Sequence, residues 1–286
     1  MTGPAISAIM VSYRTGPVLL DAIETLLTDP EIAELILVDH DNPADIRAHL
    51  DRMAQENARL KLVRTNENLG FAKGCNLGAA AAASDWLFFL NPDAKAEPGA
   101  AKKLVAALTG QKEPAIAGAR ILNEDGSEQR GARRRQLTLW TAMANFTGLA
   151  RLGLAQRFGM ETEPLPDHVI AVPAISGAAF AMSAKGFRAL GGFDEGYFLH
   201  VEDIDLCRRA ATVLFVPDAV IHHVGGTSRT SRFFVEIEKA KSFLRYFWKF
   251  NTGIGGRLAT LLVAPFLLAA IVLRAMILEI AGLIRR

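Results

Sequence analysis

Hydrophobic positions in the first 120 residues alternate between two periods. Short, uninterrupted apolar runs predict strands, and the segments between them repeat at helical spacing. The predicted strands cover residues 6–11, 35–38, 60–63, 86–90 and 115–119. The predicted helices cover residues 18–27, 44–57, 74–83 and 99–108. Strands that are apolar throughout and alternate with helices predict an α/β fold, in which helices cover both faces of a mostly parallel sheet.

In such a sheet, ligands bind beyond the carboxyl ends of the strands. We therefore expect residues 12–16, 39–43, 66–76 and 91–94 to line the site.

The pattern is less regular after residue 120. Asn123-Glu-Asp-Gly126 predicts a tight turn, and an arginine cluster follows at Arg130, Arg133, Arg134 and Arg135. These arginines suit either an anionic headgroup or a solvated loop. Residues 136–166 predict a mobile loop or small helices. Further strands are predicted within 169–183, 213–216 and 219–223, and a helix at 232–250.

The C-terminal segment is strongly apolar. Residues 258–273 carry no charge, but these 16 residues are fewer than the roughly 20 that span a bilayer, and they include Pro265. The charged residues Arg274, Glu279, Arg285 and Arg286 fall on one side of a helical wheel. We predict a helix in the membrane interface. The alternatives are a helix packed on the protein or on a second copy, and a spanning helix with Arg274 buried in a partner. The predicted units are a main domain at 1–230, a helix at 231–256 and a membrane-associating tail at 257–286.

Composition excludes several classes of protein. Half of the residues are apolar, which is enough for a folded core, and 32 basic residues against 30 acidic ones give no excess for nucleic-acid binding. Cys75 and Cys207 have no CxxC spacing, so we expect neither a disulfide framework nor a cysteine zinc site. This cysteine usage indicates a reducing compartment. The N-terminus predicts no signal peptide. Dinucleotide, P-loop, zinc-protease and nucleophile-elbow motifs are missing from the sequence.

Asn91-Pro-Asp93-Ala94 directly follows the apolar run WLFFL, which places a carboxylate at the end of a central strand. Such a carboxylate suits Mg²⁺ or Mn²⁺ held against a diphosphate. The alternative is an ordinary turn or helix N-cap.

A second polar cluster is His200-Val-Glu-Asp-Ile-Asp205, where three carboxylates lie among apolar neighbours. Buried carboxylates are costly unless paired or used, so one of them is a candidate general base. An ordinary capped helix start is the alternative.

His222-His223 ends a predicted strand and precedes Gly225 and Gly226. An imidazole here is a candidate metal ligand, and the glycines would let a phosphate approach the backbone. A structural histidine pair is the alternative.

Together these motifs resemble the inverting family 2 glycosyltransferases of GT-A fold, particularly the branch with bacterial rhamnosyltransferases. The resemblance covers residues 5–250 and rests on VSY, ILVDH, NENLGFAKGCNLG, FLNPDA, GGFDE, EDIDLC and VPDAVIHHVGGTS. It implies the GT-A nucleotide-diphospho-sugar transferase fold, with a Rossmann-like, mostly parallel sheet, followed here by the apolar helical tail.

The resemblance also implies roles for individual residues. Asp203 would be the catalytic base with Glu202 beside it, and Asp93 and His223 would hold the divalent cation. Ser176, Gly177 and Asp194 would lie on the acceptor side, with Asp194 also shaping the sugar pocket. The implied donor-binding residues are Ser12, Tyr13, Arg14, Asp39, Asp41, Asn68, Gly70, Phe71, Lys73, Asn76, Asn91 and Asp93. Asp39 would read the pyrimidine ring.

The implied partners are a dTDP or UDP sugar, with rhamnose favoured, and a lipid-linked or polysaccharide acceptor. The implied location is the cytoplasmic face of the cell membrane, in cell-envelope synthesis, with a homodimer as an option.

The sequence departs from the family pattern at four places: the loop after the second strand, the DXD position with its single acid Asp93, the residue before Glu202, and the stretch 207–213, which is about one helical turn short. His40 and Pro43 alter the loop after the second strand, so Asp41 could share the role of Asp39. Val201 stands where glycine is usual. A catalytically silent nucleotide-binding scaffold at the membrane and a nucleotidyltransferase are the competing hypotheses. The scaffold hypothesis predicts that the acidic residues are lost, but Asp93 and Asp203 are present. The nucleotidyltransferase hypothesis predicts a glycine-rich, lysine-bearing loop after the first strand, and the sequence lacks one.

Overall fold

The computed structural model describes residues 5–65, 67–150, 152–225 and 232–284, with side chains described up to residue 273 except at 232. In these residues the strands are β1 (Ile6–Ser12), β2 (Ile32–His40), β3 (Leu60–Thr65), β4 (Trp86–Leu90), β5 (Ala94–Ala96), β6 (Ala115–Leu122), β7 (Arg133–Arg134), β8 (Ile170–Ala171), β9 (Ala174–Ile175), β10 (Ala179–Ser183) and β11 (Thr212–His223). The helices are α1 (Val18–Thr28), α2 (Ala44–Glu56), α3 (Phe71–Ala81), α4 (Ala100–Leu108), α5 (Leu139–Phe146), α6 (Ala184–Ala189), α7 (Glu202–Arg209), α8 (Arg232–Phe250) and α9 (Gly253–Ile284).

One large sheet organises the fold, in the order β3-β2-β1-β4-β10-β6-β11-β5, with β8 paired to β11. Strands β1 to β4 run parallel, and β10 is antiparallel to both β4 and β6. Ser12 at the end of β1 is the register partner of Asp39 in β2. The carboxyl ends of β1, β2 and β4 therefore lie along one edge of the sheet, where a ligand site is expected.

Helices cover both faces of the sheet. One buried cluster joins the strands to α1, α2 and α4, and the other joins them to α3 and to the C-terminal helices α5 to α9. In the second cluster the rings of Phe89 and Phe180 stack across neighbouring strands at 4.6 Å. The predicted α/β class and two-sided sheet are confirmed.

In the regular first half every predicted strand and helix is present with displaced ends, and the short strand β5 was not predicted. The second half differs more. Residues 169–183 divide into three short strands, and the two strands predicted at 213–223 form one strand, β11. The register of β11 against β6 shifts between Val216 and Val220. Pro217, which has no N–H to donate, lies in this interval and accounts for the apparent break in the pattern.

Helix α9 continues through Pro265 and packs through one face against α8 and α5. Thr260, Leu267 and Ile271 are buried on that face, whereas the opposite face exposes apolar side chains at Ile254, Leu258, Leu261, Leu262, Phe266, Val272 and Leu273. Within the described residues, Gly253–Leu273 is the one stretch long and apolar enough to cross a membrane, with a mean hydropathy of 2.1. The charged residues used for the helical wheel lie outside the described side chains.

Candidate active site

A buried polar network closes the ends of β1 and β2. Asn42 Nδ2 donates to Asp39 Oδ1 at 2.8 Å and to Ser12 Oγ at 2.9 Å, and the Asn42 backbone N–H donates to the same Asp39 oxygen at 3.0 Å. The hydroxyls of Ser12 and Thr15 lie 3.0 Å apart. Asn42 therefore fixes the orientation of Asp39, a role that the motif comparison did not assign to it.

The second oxygen of Asp39 is the unusual atom of this network. Oδ2 is buried without a hydrogen bond, and it faces Arg47 Nε at 3.4 Å and Arg64 Nε at 3.6 Å. Neither arginine was a predicted site residue. A buried carboxylate oxygen without a hydrogen bond is costly, and the two arginines offset its charge, so this atom is a candidate acceptor for a ligand N–H.

Asp41 and His40 lie apart from Asp39 although they follow it directly. Asp41 has a positive φ of 58° and pairs with Arg14 at 3.0 Å, both half-exposed. His40 Nδ1 lies 2.6 Å from the Thr65 hydroxyl, and burial lowers the pKa of this imidazole. An open cleft of about 770 Å³ is lined by Arg14, Gly16 and Pro17 and by residues 41–47.

The glycine-rich motif before and within α3 holds a distant loop. Asn76 accepts a hydrogen bond from Phe193 N at 2.9 Å and donates to Phe193 O at 3.0 Å. Gly70 has a φ of +83°, and a Cβ there would lie 2.6 Å from Phe198 O, so only glycine fits. Asn68 accepts from the Gly70 N–H at 3.0 Å.

These contacts join α3 to the 193–198 loop. The adjoining Phe71 amide donates to Phe198 O at 3.1 Å, whereas Lys73 is exposed and Asn66 lies outside the described residues.

Asp93 and His223 meet across the β5–β11 pairing. His223 Nε2 lies 3.0 Å from Asp93 Oδ1 and 3.4 Å from Asn91 Nδ2. Both the aspartate and the histidine are nearly buried, with side-chain exposures of 8% and 11%. His222 points elsewhere, to Glu97 at 3.0 Å. Two side chains 130 positions apart in the sequence thus form one polar pair.

Gln129 determines how this pair can work. Its Nε2 donates to His223 O and to Asn123 Oδ1, each at 3.2 Å, so its Oε1 faces His223 Nδ1 at 2.7 Å. The histidine therefore donates from Nδ1 and presents Nε2 to the Asp93 carboxylate. The Nε2 lone pair and the Asp93 carboxylate repel each other unless a proton or a cation lies between them. The Asp93–His223 pair therefore fits a divalent ion. Gln129 was not predicted, because no motif contains it.

The Asp203 carboxylate is held at the start of α7. Its Oδ2 accepts from Gly177 N and from Arg134 Nη1, both at 2.8 Å, and its Oδ1 accepts from Ile204 N at 2.8 Å. Gly177 leaves little room for a side chain, because a Cβ there would lie 3.1 Å from the Asp203 Cβ. The adjacent Ser176 hydroxyl instead accepts from Ala178 N at 3.2 Å.

The residues around Asp203 are buried and strained. Glu202 is buried with an Oε2 that lacks a hydrogen bond, and burial, then the Asp203 charge, raise the pKa of this carboxyl. His200 Nε2 is also unpartnered, and burial lowers the pKa of His200 to about 3. His200 and Val201 have positive φ values of 67° and 70°, which is costly for a branched residue such as valine. Strain and unpartnered polar atoms together mark a functional site.

Asp194 lies in a different environment from the other predicted residues. It accepts hydrogen bonds from Arg245 at 2.7 Å and Lys249 at 2.8 Å in α8, and from Gly196 N at 3.0 Å. Burial opposes ionisation, but these donors prevail and lower the pKa of Asp194 to about 2. Its contacts tie the GGFDE loop to α8.

Comparisons with known proteins identify the family and the fold. The model of the family described as Glycosyl transferase family 2 matches residues 7–162, which is more than half of the chain. The chain belongs to glycosyl transferase family 2. It is 26% identical over 231 residues to the N-acetylglucosaminyl-diphospho-decaprenol L-rhamnosyltransferase of Mycobacterium tuberculosis, a match that covers 75% of each chain.

Solved glycosyltransferase structures share the GT-A fold. The mannosyltransferase PcManGT from Pyrobaculum calidifontis, in complex with GDP-Man and Mn²⁺, has a TM-score of 0.60 at 15% identity and covers 98% of this chain and 76% of its own. GalNAc-T7 with UDP, GalNAc and Mn²⁺ has a TM-score of 0.59 at 16% identity over 87% of this chain. This chain spans about half (51%) of the length of GalNAc-T7. The family 2 member described here is thus a glycosyltransferase of GT-A fold.

Proposed function

We propose that this glycosyltransferase moves a sugar, with rhamnose favoured, from a dTDP or UDP donor to a lipid-linked or polysaccharide acceptor with inversion. The relative that acts on N-acetylglucosaminyl-diphospho-decaprenol makes a sugar on a lipid diphosphate the favoured acceptor. The observation that carries the proposal is the Asp93–His223 pair at the edge where the central strands end. We call Ser12, Asp39, Asn42, Asp93 and His223 the donor end, and Arg134, Gly177, Glu202 and Asp203 the acceptor end.

Asp93 and His223 would hold a divalent cation at the donor end, with Asn91 alongside. One carboxylate and one imidazole leave positions for diphosphate oxygens, which suits Mg²⁺ or Mn²⁺. When bound, such an ion supplies charge neutralisation for the departing diphosphate. The tautomer that Gln129 imposes on His223 supports this assignment.

Asp39 would receive the nucleotide base. Its buried Oδ2 without a hydrogen bond suits an N–H of a pyrimidine ring, and the adjoining cleft beside Arg14 has room for a nucleoside. Ser12 and Asn42 would keep that carboxylate in place.

Asp203 would act as the general base. It takes the proton of the acceptor hydroxyl, the acceptor oxygen bonds to the anomeric carbon, and the nucleoside diphosphate leaves with the electron pair of the broken bond. A single displacement inverts the anomeric carbon. The amides of Gly177 and Ile204 support this role because they fix the carboxylate.

We also propose that the exposed face of α9 rests in the cytoplasmic leaflet of the cell membrane. This face includes Leu258 and Leu262, which are 53% and 71% exposed, while the other face packs on the protein. A helix that is packed on one side, here at Thr260, Leu267 and Ile271, and apolar on the other suits the interface.

Membrane binding can be tested with vesicles that contain anionic lipid. We expect the Leu258→Glu, Leu262→Glu double variant to lose at least tenfold in binding at an unchanged melting temperature. Val169→Glu, which also puts a charge on an exposed aliphatic position outside α8 and α9, is the control. Equal binding by the double variant and the wild type would contradict this part of the proposal.

Transfer itself is tested by incubating the full chain with Mn²⁺, a panel of dTDP, UDP and GDP sugars, and an N-acetylglucosaminyl diphospholipid. Mass spectrometry should detect one glycosylated product, and NMR should show an inverted anomeric centre. Nucleotide binding with no transfer to any acceptor would favour the silent scaffold.

A further inference from the structure

Three consecutive members of the arginine cluster, Arg133, Arg134 and Arg135, point to two different sides of the chain. Arg133 is buried against Glu128 and the carbonyls of residues 163 and 164, and Arg135 pairs with Glu163. Both tie down the loop that precedes β8. Arg134 lies between them and points to the opposite side, because successive side chains of a strand alternate. Arg134 is therefore the cluster member that reaches the Asp203 carboxylate.

The contact of Arg134 with Asp203 fills Oδ2, the oxygen opposite the one that accepts from Ile204 N. A carboxylate oxygen has two in-plane lone pairs, and Asp203 Oδ2 already accepts from Gly177 N and from Arg134 Nη1. The Gly177 amide belongs to the backbone and cannot turn away, whereas the arginine side chain can. An acceptor hydroxyl thus gains access to Oδ2 once Arg134 withdraws.

Arg134 also has the capacity to bind an anion. In the described part of the chain, its guanidinium donates to Asp203 alone, so its remaining N–H groups are available. Its side chain is 17% exposed, which opens it to the site. A guanidinium fork matches phosphate oxygens in two-point geometry. Gly131 lies beneath it, where a Cβ would come within 3.0 Å of Arg134 Nε.

We infer that Arg134 couples acceptor binding to the release of the base: it pairs with Asp203 until the diphosphate of the acceptor draws its guanidinium away. This inference rests on the proposed function and adds a requirement for an anion next to the accepting sugar. Arg134 is then an acceptor-binding and positioning residue. Asp203 and the acceptor diphosphate compete for one guanidinium.

That competition predicts opposite effects for two variants in a binding experiment that needs no transfer. The probe is a short prenyl diphosphate, titrated calorimetrically in EDTA to suppress binding that depends on a metal. Arg134→Ala should bind at least tenfold more weakly than the wild type. Asp203→Asn should bind several-fold more tightly, because it removes the competing charge. Arg130→Ala removes an exposed arginine of the same segment and should stay within twofold.

Activity gives a second and independent readout. The wild type should prefer a sugar diphospholipid over the neutral alkyl glycoside of the same sugar by at least 100-fold. Arg134→Ala should lose that preference, and it should hydrolyse more donor per transfer because water reaches the freed Oδ2. Arg134→Lys should restore part of the preference. A merely structural role would lower transfer and hydrolysis together.

Unchanged binding of the probe by Arg134→Ala, or unchanged binding by Asp203→Asn, would overturn the inference. Equal use of the charged and neutral acceptors by the wild type would also overturn it while the proposed function stands. No transfer to any acceptor would overturn the proposed function itself, and the inference with it.

Discussion

The two ends of the site are built differently. At the donor end, Asp39 and its partners Ser12 and Asn42 come from consecutive strand ends of a parallel sheet and are bonded to one another. At the acceptor end, Asp203 is held by Arg134, 69 positions away, and by a backbone amide from a third segment. The Asp39 network thus comes from neighbouring strand ends, whereas the contacts of Asp203 come from segments far apart in the sequence.

Positive φ angles and unpartnered polar atoms occur at both ends, but the costliest backbone conformation, at the β-branched Val201, lies at the acceptor end. His200 and Val201 adopt positive φ angles directly before the base, and the buried atoms His200 Nε2 and Glu202 Oε2 lack hydrogen bonds. At the donor end Arg14 and Asp41 also adopt positive φ angles, and Asp39 Oδ2 and His40 Nε2 lack hydrogen bonds, but neither Arg14 nor Asp41 is β-branched, and two arginines offset the Asp39 charge. We therefore expect the donor end to be formed in advance and the acceptor end, where Arg134 occupies Asp203 Oδ2, to be completed by its substrate.

The sharpest test of this contrast is Asp203→Asn. The amide keeps the shape of the side chain but cannot take the acceptor proton, so transfer should fall at least 10³-fold. Donor binding, measured by calorimetry with Mn²⁺, should stay within about threefold because the donor end is separate. Turnover within tenfold of the wild type would show that another group is the base.

At the donor end, Gln129→Ala tests whether the histidine orientation matters. Without the Gln129 oxygen, His223 can take the other tautomer and the pair loses its fixed geometry. We expect the dependence of donor binding on Mn²⁺ to weaken 10- to 100-fold at an unchanged melting temperature. Gln136→Ala, on the loop before α5, is the control. An unchanged Mn²⁺ dependence of donor binding in Gln129→Ala would contradict the assignment of His223 as a metal ligand.

The smallest effect is expected from Glu202→Gln, measured as stability against pH. Burial raises the pKa of this carboxyl in the folded protein, so between its unfolded value and its folded value only the unfolded chain gives up the proton. The folded state therefore loses stability as pH rises from about 4.5. Glutamine removes that loss, so the variant should melt several degrees higher than the wild type at pH 8 and nearly equally at pH 4.5. A difference that is constant with pH would contradict the assignment.

The same contrast explains what could be predicted from the sequence. Strands β1 to β4 are fully buried and read as continuous apolar runs, and ligands collect where such strands end, so Asp39 and Asp93 could be found from pattern alone. Asn42 lies within the range 39–43 that this reasoning predicted to line the site, but its role in holding Asp39 was not predicted.

The remaining contacts could not be predicted because nothing local encodes them. Gln129 contacts His223 over 94 positions, and Arg134 contacts Asp203 over 69. Arg134 differs from Arg133 and Arg135 only by its side of a two-residue strand, β7, which carries too few positions to show a period. Asp194 belongs to the GGFDE motif and contacts Lys249 of α8. The motif gave no indication of this contact.

The most direct test of the central claim is a calorimetric titration of the full chain with dTDP, UDP and GDP, with and without Mn²⁺. The comparison is the wild type against Asp93→Asn. The account predicts that one nucleotide class binds in a manner that depends on Mn²⁺, and that Asp93→Asn removes the dependence. Equal binding with and without Mn²⁺ in both proteins, or no binding at all, would contradict a metal-assisted donor site at Asp93 and His223.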